Sequence, residues 1–158
     1  ADGAATIPSS VLAEDMLFVP SHGLTALKLG ADGKSFEQKW RSGRLRPGTA
    51  SPLVHGQKVY SLNNAGVLAC ADVDSGNRLW QLRLDGPFGG SPVVADNHMY
   101  IFSEEGLAQV VDLTAPEGNV VGKMDLGEMI QCSPAVSNGA LFVRSNGHIW
   151  KISRKTRL

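Results

Sequence analysis

The chain has only two cysteines, Cys70 and Cys132, among 158 residues. That excludes a disulfide framework, and any metal site would need histidine or carboxylate partners at a recognisable spacing. Both cysteines lie in apolar, strand-like surroundings and are expected as buried free thiols. There is no excess of charge either: fifteen basic residues face fifteen acidic ones. The balance removes the global electrostatic case for a nucleic-acid or anionic-membrane partner. No stretch approaches the ~20 consecutive apolar residues of a membrane span. The opening ADGAATIPSS has no basic segment followed by an apolar run, so no signal peptide is expected in this sequence. Neither helical periodicity nor a G-x-S-x-G elbow, phosphate loop or dinucleotide fingerprint is present. The four histidines, His22, His55, His98 and His148, are scattered singly in turn-like segments, with no close-spaced ligand pair among them. With 42% apolar and 19% charged residues, the composition is that of a globular domain with a sizeable core.

What the sequence does have is repetition. LFVPSHG begins at Leu17 and LFVRSNG at Leu141, and further copies lie between them. Ser10, Pro52, Pro92 and Pro134 mark equivalent places, with steps of 42, 40 and 42 residues. An apolar pair follows each: Leu17-Phe18, Val59-Tyr60, Met99-Tyr100 and Leu141-Phe142. A glycine comes next, at Gly23, Gly66, Gly106 and Gly147. Three landmarks keep one period of about 41 residues.

Each unit reads as short strands joined by turns. In the second, SPLV, KVYSL, VLACADV and NRLWQLRL are strands, and GQ, NNAG and DSG are turns. Proline at the first strand fits, because a strand start tolerates a residue with no amide donor. Four antiparallel strands every ~40 residues are the signature of a β-propeller blade. A β-sandwich has no need of equal steps. The expectation is an all-β chain, residues 1–158, with blades at about 10–50, 51–90, 91–132 and 133–158.

CADVDSGNRLW, from Cys70 to Trp80, resembles the tryptophan-docking motif A-x-D-x-x-x-G-x-x-x-W of pyrroloquinoline-quinone (PQQ) repeat propellers. Asp72, Gly76 and Trp80 match, with Cys70 at the alanine position. The first unit keeps Ala26 and Trp40 but carries an insertion, and Lys28 replaces the aspartate. The third keeps Asp112 and Gly118 without a tryptophan, and the fourth keeps only HIWKI. The motif's role is structural: a tryptophan late in one blade stacks on the glycine turn of the next, while Asp72 and Ser75 brace that turn. The last unit holds 26 residues against the period of about 41, so its blade should lack the outer strand. The resemblance implies rings of about seven or eight blades. It identifies this chain with half of such a ring, expected to pair as a homodimer or to dock on a missing half.

The resemblance also raises PQQ and calcium as cofactors, with an adjacent-cysteine disulfide in many relatives; no adjacent cysteines occur here. DVDSG at Asp72 places two carboxylates two apart, but its glycine falls one position early for a calcium loop and no closing glutamate follows. No cofactor, metal site or catalytic residue is expected from the residues themselves. Paired carboxylates at Glu104-Glu105 and basic stretches at KWRSGRLRPG and KISRKTRL read as exposed turns and solvated faces.

If function lies on loops, it lies on the face shared by the fourth-to-first-strand loops and the second-to-third-strand turns. That face should carry Arg44, Arg46, Asn63, Asn64, Phe88, Glu104, Glu105, Gln131 and Asn146. The expected function is a non-catalytic protein-binding or scaffolding module, periplasmic or secreted, since most relatives are exported. The alternative is a fragment of a quinoprotein dehydrogenase whose ligands lie outside this chain.

Overall fold

The computed structural model describes residues 5 and 7–153. Among them there are fifteen β-strands and no helix. The chain divides into two compact units, residues 1–84 and 85–158, each holding two sheets. The first unit contains β1 (Val11–Ala13), β2 (Met16–Ser21), β3 (Gly23–Leu29) and β4 (Phe36–Ser42), then β5 (Leu53–His55), β6 (Lys58–Leu62), β7 (Val67–Asp72) and β8 (Arg78–Arg83). The second contains β9 (Val93–Ala95), β10 (His98–Phe102), β11 (Leu107–Asp112) and β12 (Asn119–Asp125), then β13 (Ala135–Ser137), β14 (Ala140–Arg144) and β15 (Ile149–Ser153). Every sheet is an antiparallel meander of consecutive strands. These are propeller blades, and among the described residues the fourth has three strands where the others have four.

The same local chemistry writes each blade. The first hairpin turns on two residues, with positive φ at Glu14, Gly56, Asp96 and Asn138. Glycine, Asn and Asp, at the last three of these turns, tolerate that conformation, which matches the twist of the flanking strands; Glu14 adopts it without that advantage. Between the third and fourth strands the register slips at one equivalent place, after Ala26, Cys70 and Val110. Opposite those residues stand Trp40, Trp80 and Gly122. The third blade thus has a glycine where the first two have an indole.

The apolar face of each strand makes the cores. In the first unit Met16, Phe18, Trp40, Leu45, Val59 and Ala71 pack together. In the second, Phe102, Ala108, Ile130 and Val143 do so, with Tyr100 and Trp150 against them. The Ser-Pro landmark has a second purpose beyond starting a strand. The Ser51 hydroxyl accepts the Ser9 amide at 2.9 Å, and the Ser133 hydroxyl accepts the Ser91 amide at 2.8 Å. Within each unit, the serine at one blade's entry holds the entry of the blade before it.

Candidate functional site

The docking motif closes between the first two blades. Trp40 lies over Gly76, so close that a Cβ there would meet the indole at 2.6 Å. Its Nε1 donates to the Val73 carbonyl at 2.7 Å, and its ring centroid is 5.9 Å from that of Phe18. Gly76 has φ +68°, a left-handed conformation that disfavours a side chain. Trp80 is buried against the Tyr60 ring, centroids 5.8 Å apart, and its Nε1 has no hydrogen-bond partner.

Asp72 braces the receiving turn as its position implies. Its Oδ1 accepts the Ser75 amide at 2.8 Å and hydroxyl at 2.7 Å. Asp112 does the same with Thr114. In the first blade Lys28 stands at that position, and Asp32, inside the insertion, takes the role by accepting from the Lys34 and Ser35 amides and the Ser35 hydroxyl. These bonds favour the ionised carboxylate. The Ser35 amide, foremost, holds Asp32 down to about 2. The Ser75 hydroxyl and amide hold Asp72 below its usual range, and the Thr114 hydroxyl and amide do so for Asp112.

Acid should therefore loosen the turns. An acid weaker in the unfolded than in the folded chain takes up its proton preferentially on unfolding. The stabilisation is full above the ordinary aspartate value of about 4 and fades as pH falls through the folded values. Melting temperature should drop between pH 4 and pH 2, and Asp72→Asn should shallow that drop; an unchanged slope in the variant would mean Asp72 contributes nothing to it.

Within each unit the candidate loops are pinned by hydrogen bonds, largely to the backbone. In the first unit the Gly48 amide donates to the Leu62 carbonyl at 2.8 Å, and the Thr49 amide to Asn64 Oδ1 at 3.0 Å. Asn63 Oδ1 accepts the Val67 amide at 2.9 Å, while Arg46 Nε donates to the Gly43 carbonyl at 2.9 Å. These contacts gather Arg44, Arg46 and Asn63 around a cavity of about 200 Å³ lined also by Ser61, Val67, Ala69 and Gln81.

In the second unit the Glu104 amide donates to the Pro87 carbonyl at 2.8 Å, and the Glu104 carbonyl accepts the Ile130 amide at 3.2 Å. Glu104 and Gln131 both lie against Gly89. Gln131 and Asn146 line a cavity of about 290 Å³ with Met129, Cys132, Arg144 and Ser145. Phe88 is buried, 3% exposed, with its ring against Gly86, so it offers nothing to a partner at this loop.

Other features of these loops lie outside the residues that position alone selects. Glu128 accepts from the Ser145 hydroxyl at 2.5 Å and the Gly147 amide at 3.0 Å, and it pairs with His148 Nδ1 at 2.5 Å. These donors, the Ser145 hydroxyl first, keep its carboxyl ionised to lower pH than usual. The Ser145 hydroxyl and the His148 ring both address the carboxylate, and Ser145 meets His148 only through its backbone, accepting the amide at 3.2 Å and facing the carbonyl at 3.3 Å, so this is a loop clamp, not a nucleophile with its base. Ser61 and Gln81 share the first unit's cavity; the one hint of Ser61 in the sequence is a hydroxyl inside the apolar strand KVYSL. The cysteines are free. Cys70 is buried, which pushes its thiol up to about 11. Cys132 is half-buried and not part of the sealed interior, because its loop position leaves one side open; its Sγ donates to the Arg144 carbonyl at 3.2 Å.

A family model described as outer membrane protein assembly factor BamB matches residues 32–121 and again 64–157. The chain belongs to this family. No curated protein matches it significantly. Among solved structures it is similar to BamB from Moraxella catarrhalis, with a TM-score of 0.76 and 18% identity over 95% of this chain and 47% of that one. It also resembles the computationally designed Ika4 protein, with a TM-score of 0.69 and 11% identity, covering 97% of this chain and 94% of that chain. A third likeness is to a europium-containing methanol dehydrogenase, with a TM-score of 0.55 and 17% identity over 72% of this chain and 23% of the other. At these identities the likenesses establish the blade fold. The chain spans about half the length of the BamB structure it matches.

A calcium-bound quinone requires converging oxygen ligands. Among the described residues no three His, Cys, Asp or Glu side chains come together. Asp72, the first carboxylate of DVDSG, is turned onto Ser75. No helix among the described residues is long and apolar enough to cross a membrane.

Proposed function

We propose that this BamB-family chain is a non-catalytic binding or scaffolding module of the bacterial cell envelope, which presents the loops at its blade ends to another protein. The observation that carries the reading is the construction of those loops within each unit. Arg44, Arg46 and Asn63 in one unit, and Glu104, Gln131 and Asn146 in the other, stand on loops pinned by backbone hydrogen bonds. Rigid loops that carry arginine and amide groups lose little entropy on association. Family membership supports a periplasmic or outer-membrane-linked setting.

The test uses the immobilised chain and a bacterial envelope extract, with retained proteins identified by mass spectrometry. Arg44→Ala/Arg46→Ala/Asn63→Ala should reduce retention of a specific protein at least about tenfold, as for loss of a central arginine anchor. Gln57→Ala, in a first hairpin turn away from these loops, should not. Equal losses from both variants would defeat the reading. Light scattering reports the assembly separately: a mass near twice 16.8 kDa indicates pairing of copies.

A further inference from the structure

We infer that the cavity beneath the first-to-second-blade loop is a carboxylate-binding site, with Arg44 and Arg46 as its cations and Ser61 as its buried donor. It deepens the protein-binding reading and rests on it only for the source of the carboxylate.

The floor of the cavity is one row across the second blade. Ser61, Ala69 and Gln81 sit side by side on β6, β7 and β8. Alanine in the middle of the row leaves the room. Ser61 is 2% exposed and its hydroxyl has no hydrogen-bond partner, an unusual condition for a buried polar group. It lines the cavity, so a ligand there could satisfy it. Arg44 has no hydrogen bond or ion pair among the described residues, and Arg46 commits only Nε, leaving both terminal nitrogens as donors. No acidic side chain lines the space. Guanidinium forks with a neighbouring hydroxyl donor suit the planar, doubly accepting carboxylate.

The third blade shows what such a row can hold. Its equivalent residues are Ile101, Gln109 and Lys123. There Gln109 grips the Asp85 backbone, accepting its amide at 2.9 Å and donating to its carbonyl at 2.7 Å. The Asp85 carboxylate rests on Lys123 Nζ at 2.5 Å. Asp85 lies six residues before Ser91, and Leu45 lies six before Ser51. The second blade's loop therefore has a leucine at the aspartate's place, fully buried in the core, with an arginine on either side. One blade carries its own carboxylate over the row, and the other carries the cations without one.

The experiment titrates the full chain with sodium succinate, and in parallel with acetyl-Gly-Glu-Gly-amide, while following backbone amides and arginine Nε–H signals by NMR. Saturable shifts at Ser61, Asn63 and Arg46 are expected, with midpoints on the order of millimolar, the strength typical of very small ligands. Arg44→Gln/Arg46→Gln should raise the midpoint at least about tenfold, and Ser61→Ala about threefold or more, with the remaining spectrum native. Tighter binding of the peptide would assign the carboxylate to a partner side chain, and tighter binding of succinate to a free acid; either supports the site. No saturable shift at 100 mM, equal midpoints in the double variant, or inorganic phosphate binding as well as succinate would overturn it. Envelope-protein retention that fails while the succinate shifts persist would strike the protein-binding reading and leave this site standing.

Discussion

Replacing Trp40 with alanine should cost the chain about 3–5 kcal/mol of stability, the range for removing a large buried aromatic. The indole is 9% exposed, sits against Phe18, and covers a glycine turn in the next blade. It also donates one hydrogen bond across 33 residues of sequence, to the Val73 carbonyl. Truncation would leave a cavity between two blades and a buried carbonyl without its donor, and the two losses act together. Trp40→Phe separates them, keeping most of the apolar contact while losing the N–H. It should cost less than the alanine variant by at least about 1 kcal/mol. Urea unfolding followed by far-ultraviolet circular dichroism measures both. An alanine variant within about 1 kcal/mol of the parent would mean the blades hold together without the indole.

Gly76→Ala should be the other severe change, because two effects coincide there. A side chain at φ +68° carries a left-handed penalty of about 1–2 kcal/mol. The new Cβ would also press on the Trp40 indole at 2.6 Å, and overpacking of a filled core costs about 1–3 kcal/mol more. Gly33→Ala is the matched control: φ is +64° and nothing lies within 4 Å of the added carbon, so only the backbone penalty applies. The double variant Trp40→Ala/Gly76→Ala tests the contact itself. With the indole gone, alanine at 76 should cost no more than at 33. The coupling between the two positions should be about 0.5–3 kcal/mol. Additive losses would place the strain of Gly76 entirely in its own backbone.

These two residues were legible in the sequence because the motif spells out a contact. Trp40 and Gly76 sit at fixed offsets in consecutive repeats, and repetition turns an offset into a neighbour. The strands were equally open to reading: Pro52, Gly66 and Gly76 punctuate the second blade where β5 to β8 begin and end. Other features were hidden because they depend on side-chain direction within loops, where no period operates. Phe88 is expected among the residues of the loop face, yet its loop turns the ring inward over Gly86. The role of Asp32 was masked by the insertion, which moves the bracing carboxylate four residues beyond the motif's position at Lys28. Ser51 and Ser133 were visible only as punctuation, since accepting an amide from 42 residues upstream leaves no local trace. The carboxylate cavity was least legible. Ser61 and Gln81 are 20 positions apart and meet only because β7 lies between their strands.

The consecutive pairing of strands also bears on how such a chain changes over generations. Because no sheet borrows a strand from elsewhere among the described residues, a blade's hydrogen-bond ladder is encoded in one uninterrupted stretch. The serine hydroxyls that link neighbouring entries within each unit reach back across one such stretch, 42 residues in both cases. An unequal crossover between two Ser-Pro codons would therefore insert or delete one whole blade and leave the ladders of the others unbroken.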